Sequence, residues 1–484
     1  MPADDPAFSA VSTTGIYCRS GCGGRPHPEH VRYYQFAAAA EAAGYRACLR
    51  CRPYHASDPL DWVDGPELVC RAVRLIVDGA LDDANETELA ARLGVSARHL
   101  RRLFAEHVGA TPDQLARSRR THFARRLLDE TDLTIADIAF ASGFGSVRQL
   151  NRAMREIFRA PPNELRARRR RYDRLAADGG LRLRLPYRPP LDWEAALRFF
   201  GPRAVPGIEA VEASTYRRTI VVDGNPGVIE VAPGTGDHLV LCAHLPHWDA
   251  LIHLVQRVRR MFDLDADPAQ IAVGLRSDPV VRRLVGTRPG LRLPGAWDPF
   301  ETGVRAIVGQ QISVAGATTI AGRIAARLGR PVAGLSALGL THTFPPAPVL
   351  VDGDLDGLGL TSARVDTVRR FARAVADGRI RLDGSAGLDE LVESLMGLQG
   401  IGNWTAHYLA LRMGEADAFP SGDLGLRRAA ARGNAVPTAA ELEQRVDACR
   451  PWRAYGAVQL WHSLADRESS PVEPLPRVAV DATV

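Results

Sequence analysis

An internal repeat at a separation of 50 residues restricts the fold more than any other feature. Ser96, Arg98, Leu100, Arg102, Glu106 and Pro112 recur as Ser146, Arg148, Leu150, Arg152, Glu156 and Pro162. Each copy starts with a short helical stretch, residues 88–93 and 135–141, followed by a glycine-containing turn. A serine suited to capping then opens a longer basic helix. Leu100, Leu103 and Phe104 in one copy, and Leu150, Met154 and Phe158 in the other, recur at three or four residues and give each helix one apolar face. The pattern predicts two helix-turn-helix units in tandem over residues 65–172.

Arg98, Arg101 and Arg102, with Arg148, Asn151, Arg152 and Arg155, are left for the outer faces. Arg and Asn suit bidentate contacts to guanine and adenine edges in a major groove, although any one of them could contact phosphate or solvent alone. Charge supports a nucleic-acid partner. Residues 96–175 carry 18 arginines against 9 carboxylates, a local balance of +9, so the rest of the chain is −4 within a total of +5. Residues 135–144 (Ile-Ala-Asp-Ile-Ala-Phe-Ala-Ser-Gly-Phe) resemble the AraC-type DNA-binding domain. That resemblance implies two recognition helices on one linker helix, entering successive major grooves of duplex DNA. The arginine-rich run 166–174 reads as a phosphate-contacting tail or linker.

Upstream, Cys18 and Cys22 are spaced Cys-x3-Cys, and Cys48 and Cys51 are Cys-x2-Cys. Two close pairs of thiols match a tetrahedral site for one Zn²⁺. Cys70, Cys242 and Cys449 are isolated and read as buried small apolar residues. The segments 13–22 (Thr-Thr-Gly-Ile-Tyr-Cys-Arg-Ser-Gly-Cys) and 44–53 (Gly-Tyr-Arg-Ala-Cys-Leu-Arg-Cys-Arg-Pro) resemble the N-terminal domain of the Ada adaptive-response proteins. The resemblance implies that Cys18 accepts a methyl group from a methylated DNA phosphate. Zinc would keep the thiols deprotonated, as a nucleophile requires. Residues 1–60 are thus expected to form a small zinc domain.

Residues 178–290 switch from helical period to alternation. Strands are expected at 216–222, 228–231 and 238–241, turns at 223–227 and 234–237, and helices at 248–261 and 267–273. His244, His247 and His253 read as surface histidines, and no catalytic constellation is visible. Ahead of a glycosylase-like segment, the region resembles the small N-terminal sheet domain of AlkA-type glycosylases.

From 291 to 467 amphipathic helices follow one another, the first opening at Asp298 and reaching Ser313. Gly400-Ile401-Gly402 forms a tight turn before a helix, where uncovered amides can hold a phosphate. Asp423 follows a Pro-Ser-Gly turn. These motifs resemble the helix-hairpin-helix-Gly/Pro-Asp superfamily, in its 3-methyladenine DNA glycosylase II branch. The resemblance implies that Asp423 is catalytic and that Trp404, Tyr408 and Trp461 line a pocket for a flipped base. It also places Gln310 and Gln311 at the wedge that fills the vacated stack, with Ile312 as the alternative. Aromatic faces would favour cationic, N-alkylated purines. Asp417, the other nearby acid, does not keep the spacing to the turn.

Absences limit the chemistry. The chain contains no lysine, all 61 of its basic residues being arginine, so the Schiff-base route of strand-cutting glycosylases is closed. Trp404 stands where those enzymes carry the lysine. No cysteine quartet near the C-terminus could hold an iron–sulfur cluster, and the Pro-Cys-His-Arg core of alkylguanine transferases is missing. No apolar run of 18 residues or signal pattern exists, which leads to the expectation of a cytoplasmic, nucleoid-associated monomer with no membrane partner, in contact with promoter DNA and RNA polymerase. The fold expected is multidomain and mainly α with α+β parts: zinc domain 1–60, all-α double helix-turn-helix 65–172, antiparallel-sheet α+β domain 178–290, all-α glycosylase domain 291–467, and a disordered Pro-, Ser- and Val-rich tail 468–484. The function implied is an adaptive response to DNA alkylation: a monofunctional glycosylase fused to a methyl-sensing transcriptional regulator. A regulator with an inactive glycosylase unit is the alternative.

Overall fold

The computed structural model describes residues 7–24, 26–55, 66–170, 173–175, 179–431 and 435–469. The N-terminal unit is a mixed four-stranded sheet of order β3-β1-β2-β4, from β1 (Phe8–Val11), β2 (Ile16–Arg19), β3 (Val31–Tyr34) and β4 (Arg46–Ala47), with helix α1 (Ala37–Ala42) against it. Its β2 and β4 run parallel, which brings Cys18 near the end of β2, Cys22 just beyond it, and Cys48 and Cys51 after β4 to the same end.

The tandem repeat is helical: α2 (Glu67–Val77), α3 (Glu86–Arg92), α4 (Ala97–His107), the long α5 (Pro112–Glu130), α6 (Ile135–Ala141), α7 (Val147–Phe158) and α8 (Pro162–Ala167). Ser96 and Ser146 cap α4 and α7, accepting from His99 N–H and Gln149 N–H at 3.2 Å each. Leu100, Phe104, Leu150, Met154 and Phe158 are buried. α5 joins the halves.

Next comes a five-stranded antiparallel sheet of order β5-β9-β8-β7-β6: β5 (Leu181–Pro186), β6 (Glu209–Glu212), β7 (Thr215–Val222), β8 (Asn225–Pro233) and β9 (His238–His244). β5 and β6 extend the three strands expected, and the 223–227 turn shrinks to two residues. Asp223 (φ 46°) and Gly224 (φ 75°) suffice, because both adopt the left-handed backbone of a tight hairpin turn. The helices beside the sheet are α9 (Trp193–Phe200), α10 (Leu251–Met261), α11 (Pro268–Gly274) and α12 (Pro279–Thr287).

The last unit comprises α13 (Pro299–Val308), α14 (Val314–Leu328), α15 (Ala347–Asp352), α16 (Ser362–Ala376), α17 (Leu388–Met396), α18 (Asn403–Arg412), α19 (Leu424–Ala429), α20 (Ala439–Val446) and α21 (Arg453–Ser469). The helix expected to reach Ser313 stops at Val308; Gly309 ends it, Gln311 turns left-handed (φ 58°), and Ser313 caps the next helix. α21 runs two residues into the expected tail, whose remainder lies outside the described residues. No helix among the described residues is long and apolar enough to cross a membrane.

The units are bolted together by ion pairs that no local pattern reveals. Arg260 pairs with Asp78, Arg74 with Glu415 (2.5 Å), Arg92 with Asp383 (2.6 Å), and His253 with Asp82 (2.5 Å). His253, expected at the surface, is thus part of the junction between the sheet unit and the tandem repeat. The basic run is also largely paired: Arg168 with Glu164, and Arg169 and Arg174 with Asp132. Residues 171 and 172 of that run lie outside the described residues. Of the isolated cysteines, Cys449 is buried, while Cys70 and Cys242 are only partly so.

Candidate active site, metal centre and DNA-reading helices

Asp423 is the N-cap of α19. Its Oδ1 accepts from the backbone N–H of Leu426 at 2.8 Å and from the Trp461 indole N–H at 3.1 Å; its Oδ2 accepts from the Trp404 indole N–H at 2.8 Å. Two indole N–H groups and one amide of the helix N-terminus fix the carboxylate in orientation. Asp417 is differently placed, because Arg450 and Arg453 both bind it. It is a structural ion-pair partner.

Trp404, Tyr408, Trp461 and Asp423 line one cavity of about 640 Å³, within the range of small-molecule sites (roughly 300–1,000 Å³). Trp404 and Tyr408 lie on one face of α18 and stack at 5.2 Å between centroids, 7° from parallel. Tyr408 meets Trp461 edge-on at 6.3 Å. Because Trp404 and Tyr408 are in contact, the space between these two rings is closed, and only the outer faces of the group are open to a further planar ring.

The opposite wall comes from the sheet unit, in which sequence reasoning found no functional residue. Phe199 on α9 and Arg203 just beyond it line the cavity, joined by Arg305 and Arg412. Arg305 is neutralised by Glu209 (2.9 Å) and Glu301 (3.0 Å). Arg203 and Arg412 have no carboxylate partner among the described residues. Arg203 stacks on the Phe199 ring at 4.1 Å, and Arg412 donates to the Tyr408 hydroxyl at 2.9 Å. Burial pushes the Tyr408 phenol up, but Arg412, Arg203 and Arg305 outweigh it and hold the phenol below its ordinary range.

The glycine turn stands beside this cavity. Gly400 has φ 97°, and a Cβ there would lie 2.2 Å from Thr367 Oγ1, so glycine is required twice over. Ile401 is buried and anchors the turn. Gly402 caps α18 with no side chain, leaving its first amides uncovered. Gln310 donates to the Gly400 carbonyl at 3.0 Å and to Thr405 Oγ1 at 3.1 Å. That bonding makes Gln310 a brace for the turn and removes it as a wedge. Gln311 and Ile312 project from the adjoining loop, both exposed.

In the N-terminal unit the four sulfur atoms of Cys18, Cys22, Cys48 and Cys51 lie within 4.8 Å of one another. Four thiols this close are the donor set of a tetrahedral Zn²⁺ site. Residues flanking the ligands are tied to the tandem repeat. The Tyr17 hydroxyl donates to Glu41 at 2.7 Å and lies 3.1 Å from His122 on α5. Arg52 pairs with Asp173.

On the recognition helices, Arg98, Arg102, Arg148, Arg152 and Arg155 are exposed. Arg101 is committed to the buried carboxylate of Glu86, and the Asn151 amide donates to the Val147 carbonyl at 2.9 Å. Those two are partly spent on their own fold.

Three family models match the chain: the metal binding domain of Ada over residues 2–54, a helix-turn-helix domain over 89–168, and the AlkA N-terminal domain over 182–298. A Mycobacterium tuberculosis (strain ATCC 25618 / H37Rv) protein named "Probable bifunctional transcriptional activator/DNA repair enzyme AlkA" is 40% identical over 459 residues, covering 94% of this chain and 92% of its own. The Escherichia coli (strain K12) DNA-3-methyladenine glycosylase 2 is 33% identical over 286 residues, 58% of this chain and 96% of that one. A solved 3-methyladenine DNA-glycosylase from Archaeoglobus fulgidus superposes with TM-score 0.51 at 22% identity, covering 60% of this chain and 100% of its own, and shows the shared fold.

Proposed function

Because this chain belongs to the family of bifunctional AlkA-type transcriptional activators and DNA repair enzymes, we propose that it excises alkylated bases, 3-methyladenine among them, by hydrolysing the N-glycosidic bond at Asp423. It is an enzyme of base excision repair that binds DNA and regulates transcription in the response to alkylation. The units assigned are zinc domain 1–60, tandem helix-turn-helix 65–172, sheet domain 178–290 and glycosylase domain 291–467.

One observation carries the catalytic reading: a carboxylate held by two indole N–H groups and a helix N-terminus faces an aromatic cavity. As the base leaves, positive charge grows on the sugar, and a fixed carboxylate stabilises it without reorganising. The same carboxylate orients the attacking water and takes its proton. With no lysine in the chain, no side-chain amine is available for a Schiff base, and the product is an abasic site with the strand intact. Gly400, Ile401 and Gly402, braced by Gln310, hold the DNA backbone beside the cavity. Gln311 or Ile312 fills the vacated stack.

Cys18, Cys22, Cys48 and Cys51 would hold one zinc ion, which when bound keeps the thiols in their thiolate form. In the sensing step the Cys18 sulfur bonds to the methyl carbon of a phosphotriester as the C–O bond breaks, restoring the phosphodiester. This changes the cluster by one positive charge and lowers its repulsion of DNA. Arg98, Arg102, Arg148 and Arg152 then read promoter DNA, with RNA polymerase as the further partner and a cytoplasmic monomer as the working form.

The deciding experiment is release of 3-methyladenine from alkylated DNA by wild type and Asp423→Asn. Asn retains the capping ability of Asp, so the fold is preserved. A loss of about 10²-fold or more is expected; equal release by both would remove the assignment.

A further inference from the structure

We propose that a second cavity, where the tandem repeat, the sheet unit and the helical unit meet, binds a small molecule through its phosphate group, with Arg257 as the main contact. The site is separate from the aromatic cavity and does not rest on the glycosylase reading.

The helical period of α10 sets the site up. Eight of its eleven residues are buried. The three left, His253, Arg257 and Arg260, follow one another at four and three residues and so form a single stripe. All three line a cavity of about 380 Å³, together with Arg74 and Asp78 at the end of α2 and with residues 295–299, 382–384, 412, 413 and 415. The volume is that of a small-molecule site (roughly 300–1,000 Å³), a kind that favours junctions between units.

Charges on this wall cancel in pairs except in one place. Arg74 pairs with Glu415, Arg92 with Asp383, and Arg260 with Asp78. His253 bonds to Asp82, which Arg120 also holds. Asp298, the last carboxylate of the wall, caps α13 by accepting from the Phe300 and Glu301 amides. Arg412 is buried and donates to the Pro294 and Gly295 carbonyls and to the Tyr408 hydroxyl. Arg257 is different: both ends of its stripe are held, yet it has no hydrogen bond and no carboxylate within ion-pair distance among the described residues. Its guanidinium lies over the Trp297 ring at 5.1 Å and stays accessible in the cavity. Desolvation pulls that guanidinium below its ordinary range; Asp298 and Asp78 oppose the shift without cancelling it, and Arg260 and Arg218 reinforce it.

An open guanidinium beside a second cation, in a wall of five arginines and four carboxylates, calls for an oxyanion. A phosphate monoester carries about −1.5 to −2 charge near pH 7 and three acceptor oxygens. That suits Arg257 and Arg412 together better than the single charge of a carboxylate. At about 30 Å³ per water the cavity holds roughly a dozen, so space remains for an organic part beside the phosphate. Arg412 lines the aromatic cavity as well, while Arg74, Asp78 and Arg92 belong to the tandem repeat. A ligand here touches all three units and stabilises their arrangement by mass action.

The test is calorimetric titration of the full-length, zinc-loaded, DNA-free chain with ribose 5-phosphate, inorganic phosphate and acetate. The two phosphates should each saturate one common site, and acetate should not. Tighter binding of ribose 5-phosphate would show that the organic part is recognised too; equal affinities would show a site for the phosphate group alone. Arg257→Gln should weaken binding by about 10-fold or more, the worth of a charge-assisted hydrogen bond, and Arg257→Lys, which keeps the charge without the planar fork, should fall between. Arg148→Ala combined with Arg152→Ala should bind as wild type does, which separates this site from the recognition helices. At about 100 times the dissociation constant, ribose 5-phosphate should raise the melting midpoint of wild type and leave that of Arg257→Gln unmoved. Full affinity in Arg257→Gln, loss of binding in the Arg148 and Arg152 variant, acetate binding as tightly as phosphate, or no saturation at about 10 mM of either phosphate would each overturn the site.

Discussion

The guanidinium of Arg52, the residue after the last cysteine of the zinc cluster, is paired with the carboxylate of Asp173 at the far end of the tandem repeat, and both side chains are buried. The same guanidinium lies 3.7 Å from the buried Asp129 on α5. Removing one partner of such a group strands a charge in a low-dielectric site. Arg52→Ala should therefore destabilise the chain by about 3–5 kcal/mol in urea denaturation. The effect has a pH signature. Burial pushes the Asp173 carboxyl up, but the hydrogen bond and charge of Arg52, the Arg170 backbone N–H and the His55 charge together outweigh it and leave the carboxyl below its ordinary range. The stabilisation is full above the unfolded-state value near 4 and is lost as pH falls through the lower folded-state value. Wild type and Arg52→Ala should thus converge in acid and diverge towards neutrality; a gap independent of pH would contradict the pairing.

Gly400→Ala is expected to be the most damaging single substitution in the turn at residues 400–402. The left-handed backbone costs a non-glycine residue about 1–2 kcal/mol, and the new methyl meets Thr367 Oγ1 at 2.2 Å. Overpacking of that kind adds about 1–3 kcal/mol. Pairing it with Thr367→Ala should recover the steric part and leave the backbone part. Denaturation midpoints of the two singles and the double decide this; an unchanged midpoint for Gly400→Ala would show that the two segments do not approach as described.

These contacts mark the limit of what the sequence discloses. The short helix of the second repeat spans residues 135–141, the range expected, because its period, its glycine turn and its serine cap are all local signals. The helix expected to reach Ser313 keeps an apolar period through Ile307, Val308 and Ile312, yet it stops at Val308. The loop that follows carries Gln310, whose side chain bonds to Gly400, 90 residues later. Arg203 carries no local signal either. It precedes Asp423 by more than 200 residues and gains meaning only once the sheet unit closes on the helical one. The cysteine quartet is legible because its thiols come in pairs a few residues apart, whereas Asp423 stands out only through the Pro-Ser-Gly turn before it and the family resemblance.

For the recognition helices, the ion pairs divide the arginines. Arg101, Arg148 and Arg152 are all exposed, but Arg101 alone of the three is paired with a carboxylate, the buried Glu86, among the described residues. Arg148→Ala and Arg152→Ala should each reduce the slope of log affinity against log salt by about 0.9, measured by fluorescence anisotropy on non-specific duplex. Where either contacts a base edge, a promoter duplex loses a further 1–3 kcal/mol or so. Arg101→Ala should leave the slope alone and instead lower stability by about 1 kcal/mol. A reduced slope in Arg101→Ala would place that side chain on DNA after all.

The metal centre yields the last prediction, which concerns transmission. Tyr17, next to Cys18, is fully buried and shares Glu41 with His122 of α5: Tyr17 to Glu41 is 2.7 Å and His122 to Glu41 is 2.6 Å. His55, four residues after Cys51, reaches Asp129 on the same helix at 3.1 Å. The strand and loop that carry the first and last ligands are therefore fastened to the helix that spaces the two DNA-reading units. Cys48→Ala should lower zinc content well below one ion per chain, because three thiolates hold the ion less tightly than four. Because the site and its fold form together, amide exchange should then accelerate within 7–55 and also along α5 around residues 122–130. Exchange that rises in the first segment and stays unchanged in the second would show that these buried ties do not carry the state of the thiol cluster to the DNA-reading helices.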